Sequence, residues 1–555
     1  MQTFFELKIH IFICVVSLVQ HKCLILHAIS KHMRTLLLFI IIYIGMALPI
    51  NADVVDDDVR HTDGVEYAVS TQLSVSDGDN TPFWLNANKY GLSSLHATNG
   101  YVRASLARPL ANDSTKRCAW GAMVDVAAAF NYTSNFVVQQ AYVEGRWNKG
   151  VLTLGSKEYP MELKNQQLST GSQTLGINAR PVPQARLALP DYWVVPGTKG
   201  WISVKGHIAY GKTTDEGWQK DFTMQKSRFT EDVLYHSKAG YLKIGNTRQP
   251  SHVSLVVGLE MASQFAGSSY VLADDGNTIV KLENDRGLDA FLSALVPGGA
   301  DTSEKIYQNA NGNVLGSWVA RLDLDYKSWN LGIYADHFFE DHSSMFFLDY
   351  DGYGTGDQWN EKCDNRYLRY QLKDIMLGAE LTLKKVGWIE TIVAEYIYTK
   401  YQSGPIYHDH TQHMPDHIGG IDNYYNHHLF TGWQHWGQSM GNPLYTSPLY
   451  NDDGMITFKN NRFVAWHLGL SGHPTKSIDY RVLATWQKGY GTYKQPYPDP
   501  KKGFYFLGEA GCRLPQGWRV SGAVGIDRGR LTGDNFGVQL TVAKAGVITK
   551  KNSRK

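Results

Sequence analysis

The sequence predicts an exported all-β protein, a transmembrane antiparallel β-barrel, and three observations carry that expectation. An export leader opens the chain. After it no run of 18 apolar residues occurs, so no transmembrane helix is legible. Segments that alternate apolar and polar residues with a period of two recur instead, almost to the C-terminus.

In the leader, Met33 and Arg34 precede the apolar run from Leu36 to Leu48, and Pro49, Ile50, Asn51 and Ala52 close it. A charged start, a short apolar core and a small residue at the end form a secretory signal, and the core is too short for a comfortable membrane span. An upstream apolar run, Phe4 to Val19, carries Glu6 and Lys8. The expected start is therefore Met33, with residues 1–32 a spurious extension and cleavage after Ala52. Residues 53–547 are expected to form the barrel and 548–555 a basic tail.

The leader holds four of the 54 basic residues and one of the 52 acidic ones, so the mature chain carries 50 against 51 and stands at −1. That balance offers no field for nucleic acid. Three cysteines remain, Cys118, Cys363 and Cys512, an odd and sparse set that makes no disulfide framework. The 32 Tyr, 21 Phe, 15 Trp and 53 Gly suit strands and tight turns. A mean hydropathy of −0.31 fits a barrel, whose strands are apolar on one face only.

Along the chain, Tyr67, Val69, Thr71, Leu73 and Val75 share a face, as do Trp120, Ala122, Val124, Val126, Ala128 and Phe130. Leu322, Leu324 and Tyr326 oppose Arg321, Asp323 and Asp325. Leu377, Ala379, Leu381 and Leu383 oppose Glu380 and Lys384. Trp518, Val520, Val524 and Ile526 oppose Arg519, Ser521 and Asp527, and Phe536, Val538, Leu540 and Val542 follow the same rule. Adjacent charges on one strand face need water or each other. In an exported chain this pattern places lipid outside and a polar lumen inside, lined by Arg321, Asp323, Asp325, Glu380, Glu395, Glu509 and Arg519. A soluble sandwich is the competing arrangement. Two polar stretches, Tyr159 to Ile177 and Thr214 to Glu231, read as long loops or short helices covering an opening.

Chemistry-bearing clusters are sparse. His408, Asp409, His410, His413 and His417, and separately His427, His428 and His435, have residue types that bind zinc, but in no standard spacing. In the stretch holding Asp349, Asp351 and Asp357, Gly352 and Gly354 break the alternation a calcium loop requires. Neither a metal nor another cofactor is expected. The acids Asp323, Asp325, Glu395 and Glu509 are the candidates for a glycosidase pair, with lumen lining as their simpler account. No nucleophile elbow, zinc-protease helix or phosphate loop occurs. The remaining signal is a group of aromatics and amides: Asp422, Asn423, Tyr424, Tyr425 and Asn426, followed by Trp433, Gln434 and Trp436. Flat rings stack on sugars while amides and acids meet hydroxyls, so these residues are the candidate polysaccharide site; packed loop aromatics are the alternative.

Several short motifs, in order, resemble the capsule-assembly Wzi family. They are Pro82-Phe83-Trp84-Leu85 with Tyr90-Gly91 and Asn99-Gly100-Tyr101, then Gln139-Gln140-Ala141-Tyr142-Val143. Next come Asn178 to Gln184, Pro190-Asp191-Tyr192-Trp193 and Pro196 to Trp201. Asp422 to Asn426, Gly432-Trp433, Gly437 to Gly441 and Pro443-Leu444 complete the series. The resemblance implies an outer-membrane barrel of about eighteen strands with periplasmic helices, which the two polar stretches could supply. With about 10 residues spanning per strand, about 18 would remain for each connection. It also implies a non-enzymatic, monomeric barrel in outer-membrane lipid that holds or organises capsular polysaccharide. A porin-like channel and a membrane-embedded glycan hydrolase are the alternatives.

Overall fold

Eighteen strands pair in chain order: β1 (Gly64–Asp77), β2 (Thr98–Arg108), β3 (Cys118–Phe130), β4 (Phe136–Trp147), β5 (Gly150–Ser156), β6 (Gln184–Val194), β7 (Ile202–Lys212), β8 (Leu234–Ile244), β9 (Val253–Phe265), β10 (Asn313–Asp325), β11 (Trp329–Glu340), β12 (Ile375–Leu383), β13 (Thr391–Tyr398), β14 (Phe463–Thr475), β15 (Ile478–Gly491), β16 (Pro496–Leu514), β17 (Trp518–Gly529) and β18 (Asn535–Thr549). This computed structural model describes residues 64–549, apart from 114–115, 247–251, 274, 276–277, 297–311, 408–417 and most of 341–371. The expected signal peptide and basic tail fall almost wholly outside the described residues. The final strand runs to Thr549, two residues past the expected boundary of the barrel.

Closure is direct. β1 pairs antiparallel with β18 from Gly64↔Thr549 to Asp77↔Phe536, so the sheet has no free edge. A 13-residue strand such as β3, at about 3.3 Å per residue and tilted about 45°, rises about 30 Å, enough to cross the hydrocarbon layer. The register breaks where the sequence dictates: Pro190 brings no N–H to the ladder, and the β6–β7 pairing shifts between Leu189 and Trp193.

The alternating faces sort as a barrel requires and a sandwich does not. Trp120, Val124, Leu377, Trp466, Val538 and Leu540 point outward and are exposed, Trp466 by 58%. A belt of this kind is stable only against lipid. The opposite faces carry Asp125, Glu144, Glu260, Asp336 and Glu395, all buried.

The connections at one end are turns, such as 148–149, 326–328, 476–477 and 515–517, and both Gly64 and Thr549 lie at that end. The other end bears the long connections, among them 78–97, 157–183, 213–233, 266–312 and 399–462. In bacterial barrels short turns face the periplasm and long loops face out of the cell. The resemblance implied periplasmic helices, and this is corrected. Among the described residues the α-helices are Phe83–Asn86, Trp218–Thr223 and Leu288–Leu295, all in long-end connections. Tyr159 to Ile177 forms no helix at all.

Candidate functional site

The lumen is where the sequence departs from strand periodicity and where the structure concentrates its polar contacts. Segments 78–97, 157–183 and 422–461 turn inward from the long-loop end. Rich in Ser, Thr, Asn, Gly and Pro, they bring unpaired backbone groups into the barrel, and each group needs a partner. The wall supplies carboxyls. Glu395 on β13 accepts from Ser169 Oγ at 2.5 Å, from Thr170 N at 2.8 Å and Oγ1 at 2.7 Å, and from Tyr334 OH at 2.5 Å. Asp336 on β11 accepts from Lys164 Nζ at 2.8 Å and Gln173 N at 3.2 Å. Glu260 on β9 accepts from Ser172 Oγ at 3.0 Å and Tyr241 OH at 2.8 Å. Burial opposes charge on Lys164, but Asp336, Glu260 and Glu395 around it hold its ammonium above the ordinary range. At the first inward segment, Asp527 accepts from Phe83 N at 2.9 Å. A charge buried in this way fixes one arrangement more than it stabilises the chain, because desolvation offsets the attraction.

Most of Asp422 to Trp436 is buried. Tyr424, Tyr425 and Trp433 are 0%, 0% and 1% exposed, and Asp422, Asn426, Gln434 and Trp436 are buried as well. Asn423 is half-buried, and its Oδ1 accepts from Asn461 and Asn426. Tyr425 stacks on Tyr445 with ring centres 4.0 Å apart, Trp433 lies 5.9 Å from Tyr235, and Trp433 Nε1 donates to Thr174 O at 3.0 Å. The expected orientation of Tyr424 and Tyr425 toward glycan is therefore corrected: their rings pack against Phe338 and Tyr445, while Trp433 also lines a lumen pocket. Burial won because the segment enters the barrel, where apolar rings displace water. Gly432 and Gly437 take left-handed turns (φ +82° and +75°), and a Cβ on Gly437 would sit 2.5 Å from Trp218.

The charged wall residues gather toward the turn end. Arg321 donates to Asp323 at 2.9 Å, to Glu380 at 2.8 Å and to Leu163 O at 3.0 Å. Glu509 pairs with Arg481 at 2.7 Å, Arg481 reaches Gln167 O at 3.0 Å, and Arg519 pairs with Asp479 at 2.6 Å. Their contacts with segment 157–183 place Arg321 and Arg481, with the acids they hold, facing inward. Asp325 sits at the turn-end rim, exposed and paired with Lys384. The candidate hydrolytic acids are thus each held by a base or by several hydroxyls. The His427 and His428 rings lie 4.3 Å apart, tilted by 36°, while His435 lies apart, accepting from Thr214 N and bonded to Arg180 O. Among the described residues no group of three or more His, Cys, Asp or Glu is placed to hold a metal. His408 to His417 and Asp351 lie outside the described residues.

Between segment 157–183 and strands β6 to β9 lies a lumen pocket of about 90 Å³. Tyr90, Tyr159, Tyr235, Tyr241, Arg180 and Arg186 are among the residues lining it. Sequence reasoning missed this site and the buried acids Glu260 and Asp336. The available signal was the polar stretch Tyr159 to Ile177, read as a cover without a wall to meet it.

Fold and site together define a transmembrane β-barrel of the bacterial outer membrane with inward-folded loops. The solved structures it resembles include the Escherichia coli protein Wzi, described as an outer membrane protein involved in group 1 capsule assembly and a carbohydrate-binding β-barrel. The two share 12% identity over 87% of this chain and 84% of that one, with a TM-score of 0.51. OprD and OccK5 of Pseudomonas aeruginosa are also similar, each at 9% identity and a TM-score of 0.42, covering 90% and 88% of this chain and 100% and 99% of theirs. No family model and no curated sequence matches the chain. At such identities the likeness establishes the outer-membrane barrel fold.

Proposed function

We propose that this barrel binds surface polysaccharide and helps hold or assemble it at the cell surface, without catalysis and as a monomer. The observation that carries the reading is the filled lumen. Segments 78–97, 157–183 and 422–461 are pinned to the wall by Asp527, Glu395, Asp336 and Glu260 and packed around fully buried Trp84, Tyr424, Tyr425 and Trp433. A diffusion channel needs a continuous aqueous path, and buried ring packing and charge-assisted anchors oppose one. The carbohydrate-binding description of Wzi, whose fold this chain shares, points the same way. The engagement of Glu395 and Glu509 by neighbouring donors supports a non-enzymatic role.

The experiment is a capsule stain of a deletion strain with separate assays of attached and released polysaccharide. The expected result is loss of attached material with continued synthesis. Unchanged attachment overturns the proposal. A large steady conductance of the purified protein in planar bilayers would favour the porin reading instead.

A further inference from the structure

We infer that the lumen pocket beside β6 is a carboxylate site, built around Arg186 and Arg180, that takes an acidic sugar unit. The inference rests on the polysaccharide reading above and names the substrate class.

Among the described residues, four arginines on the wall are each paired with an acid. Arg103 pairs with Asp125, Arg321 with Glu380, Arg481 with Glu509 and Arg519 with Asp479. Arg186 breaks that pattern. Its guanidinium carbon lies 3.9 Å from the centre of the Tyr159 ring, its Nε is buried without an acceptor, and among the described residues no carboxylate reaches it. Arg180, on the same pocket, lies 4.1 Å over Trp436 and donates from Nη2 only to Thr133 Oγ1, at 2.8 Å; its Nε is also buried without an acceptor. The other lining charges are accounted for. Lys157 pairs with Glu144 at 2.5 Å, Glu162 with Lys205 at 2.7 Å, and Glu260 accepts from Tyr241 and Ser172.

Two guanidiniums held out of bulk water with no carboxylate hydrogen-bonded to either are costly unless something anionic completes them. The planar fork of a guanidinium matches a carboxylate with two parallel hydrogen bonds. The tyrosines Tyr90, Tyr159, Tyr235 and Tyr241 line the same pocket and give a pyranose aromatic surface to pack against. A uronic acid joins both halves: a carboxylate for the arginines and a ring for the tyrosines.

The test is calorimetric titration of the full-length mature barrel in detergent with D-glucuronate, D-glucose and acetate. Glucuronate is expected to bind at least tenfold tighter than either probe, and added salt should weaken it. Arg186→Gln should reduce glucuronate to the level of glucose, and Arg186→Lys should fall between. Glucuronate no tighter than glucose, or a preference that survives Arg186→Gln, overturns the site. Acetate as tight as glucuronate overturns the sugar assignment and makes the pocket a general carboxylate site. Folding of each variant is checked by its faster migration unboiled than boiled. If Arg186→Gln fails that check, the wild-type comparison of the three probes decides alone. A deletion strain that keeps its attached polysaccharide would sink the functional reading and leave the titration standing. A flat titration beside lost attachment would do the reverse.

Discussion

Replacing Glu395 with Ala should release the inward segment at Ser169–Thr174 while leaving the barrel closed. The carboxyl accepts four hydrogen bonds, three of them from Ser169 and Thr170. A hydrogen bond to a charged group contributes about 1.5–3 kcal/mol, and a buried donor left without a partner costs about 1–3 kcal/mol. Water entering the vacated space would recover part of this. A net loss of about 3 kcal/mol in the local seating of the segment is therefore expected. Amide exchange at residues 170–174 should then speed up about 100-fold, while exchange in β1 and β18 stays slow. Glu395→Gln should cost less, since its amide can accept from Thr170 on one side and donate to a hydroxyl on the other. Hydrogen exchange read by mass spectrometry, with heat-modifiable migration as the check on the barrel, supplies the measurement. Unchanged exchange at 170–174 in Glu395→Ala would refute the idea that wall carboxyls hold the segment.

Other outcomes follow from the same contacts. Burial pushes His435 down to about 4 from an ordinary 6.5, so its seated form is neutral; the seating it contributes is full above pH 6.5 and is lost as pH falls toward 4, by about 3 kcal/mol. Exchange in 433–440 should rise over that window, and His435→Gln should remove the pH dependence. Trp433→Ala should destabilise the inward packing by about 3–5 kcal/mol, read as faster proteolysis of 422–461, and any loss of polysaccharide should track that loosening; normal protease resistance would count against the packing described. Mass spectrometry of the exported protein should find an N-terminus directly after Ala52, and retention of Leu36 to Leu48 would show an uncleaved anchor.

The barrel was legible because its rule is local. Trp120, Val124 and Leu540 announce a lipid face by alternation alone, and each strand repeats the signal without reference to distant residues. The inward segments obey no such rule. Glu395 lies 225 residues from Thr170, and Glu260 lies 88 from Ser172, so neither partner marks the other in the sequence. Two further features were hidden from the sequence. Tyr424, Tyr425 and Trp433 carry the composition of a sugar platform, yet composition is silent on whether a ring meets solvent or another ring; the closeness of Tyr445, Tyr235 and Phe338 decides that. Arg186 was passed over for the opposite reason. An arginine in a strand reads as one more lumen charge until the structure shows that Arg103, Arg321, Arg481 and Arg519 have acids and Arg186 has only a tyrosine face. An arginine without an acid on a wall where others are paired is a property of three-dimensional pairing rather than of residue type.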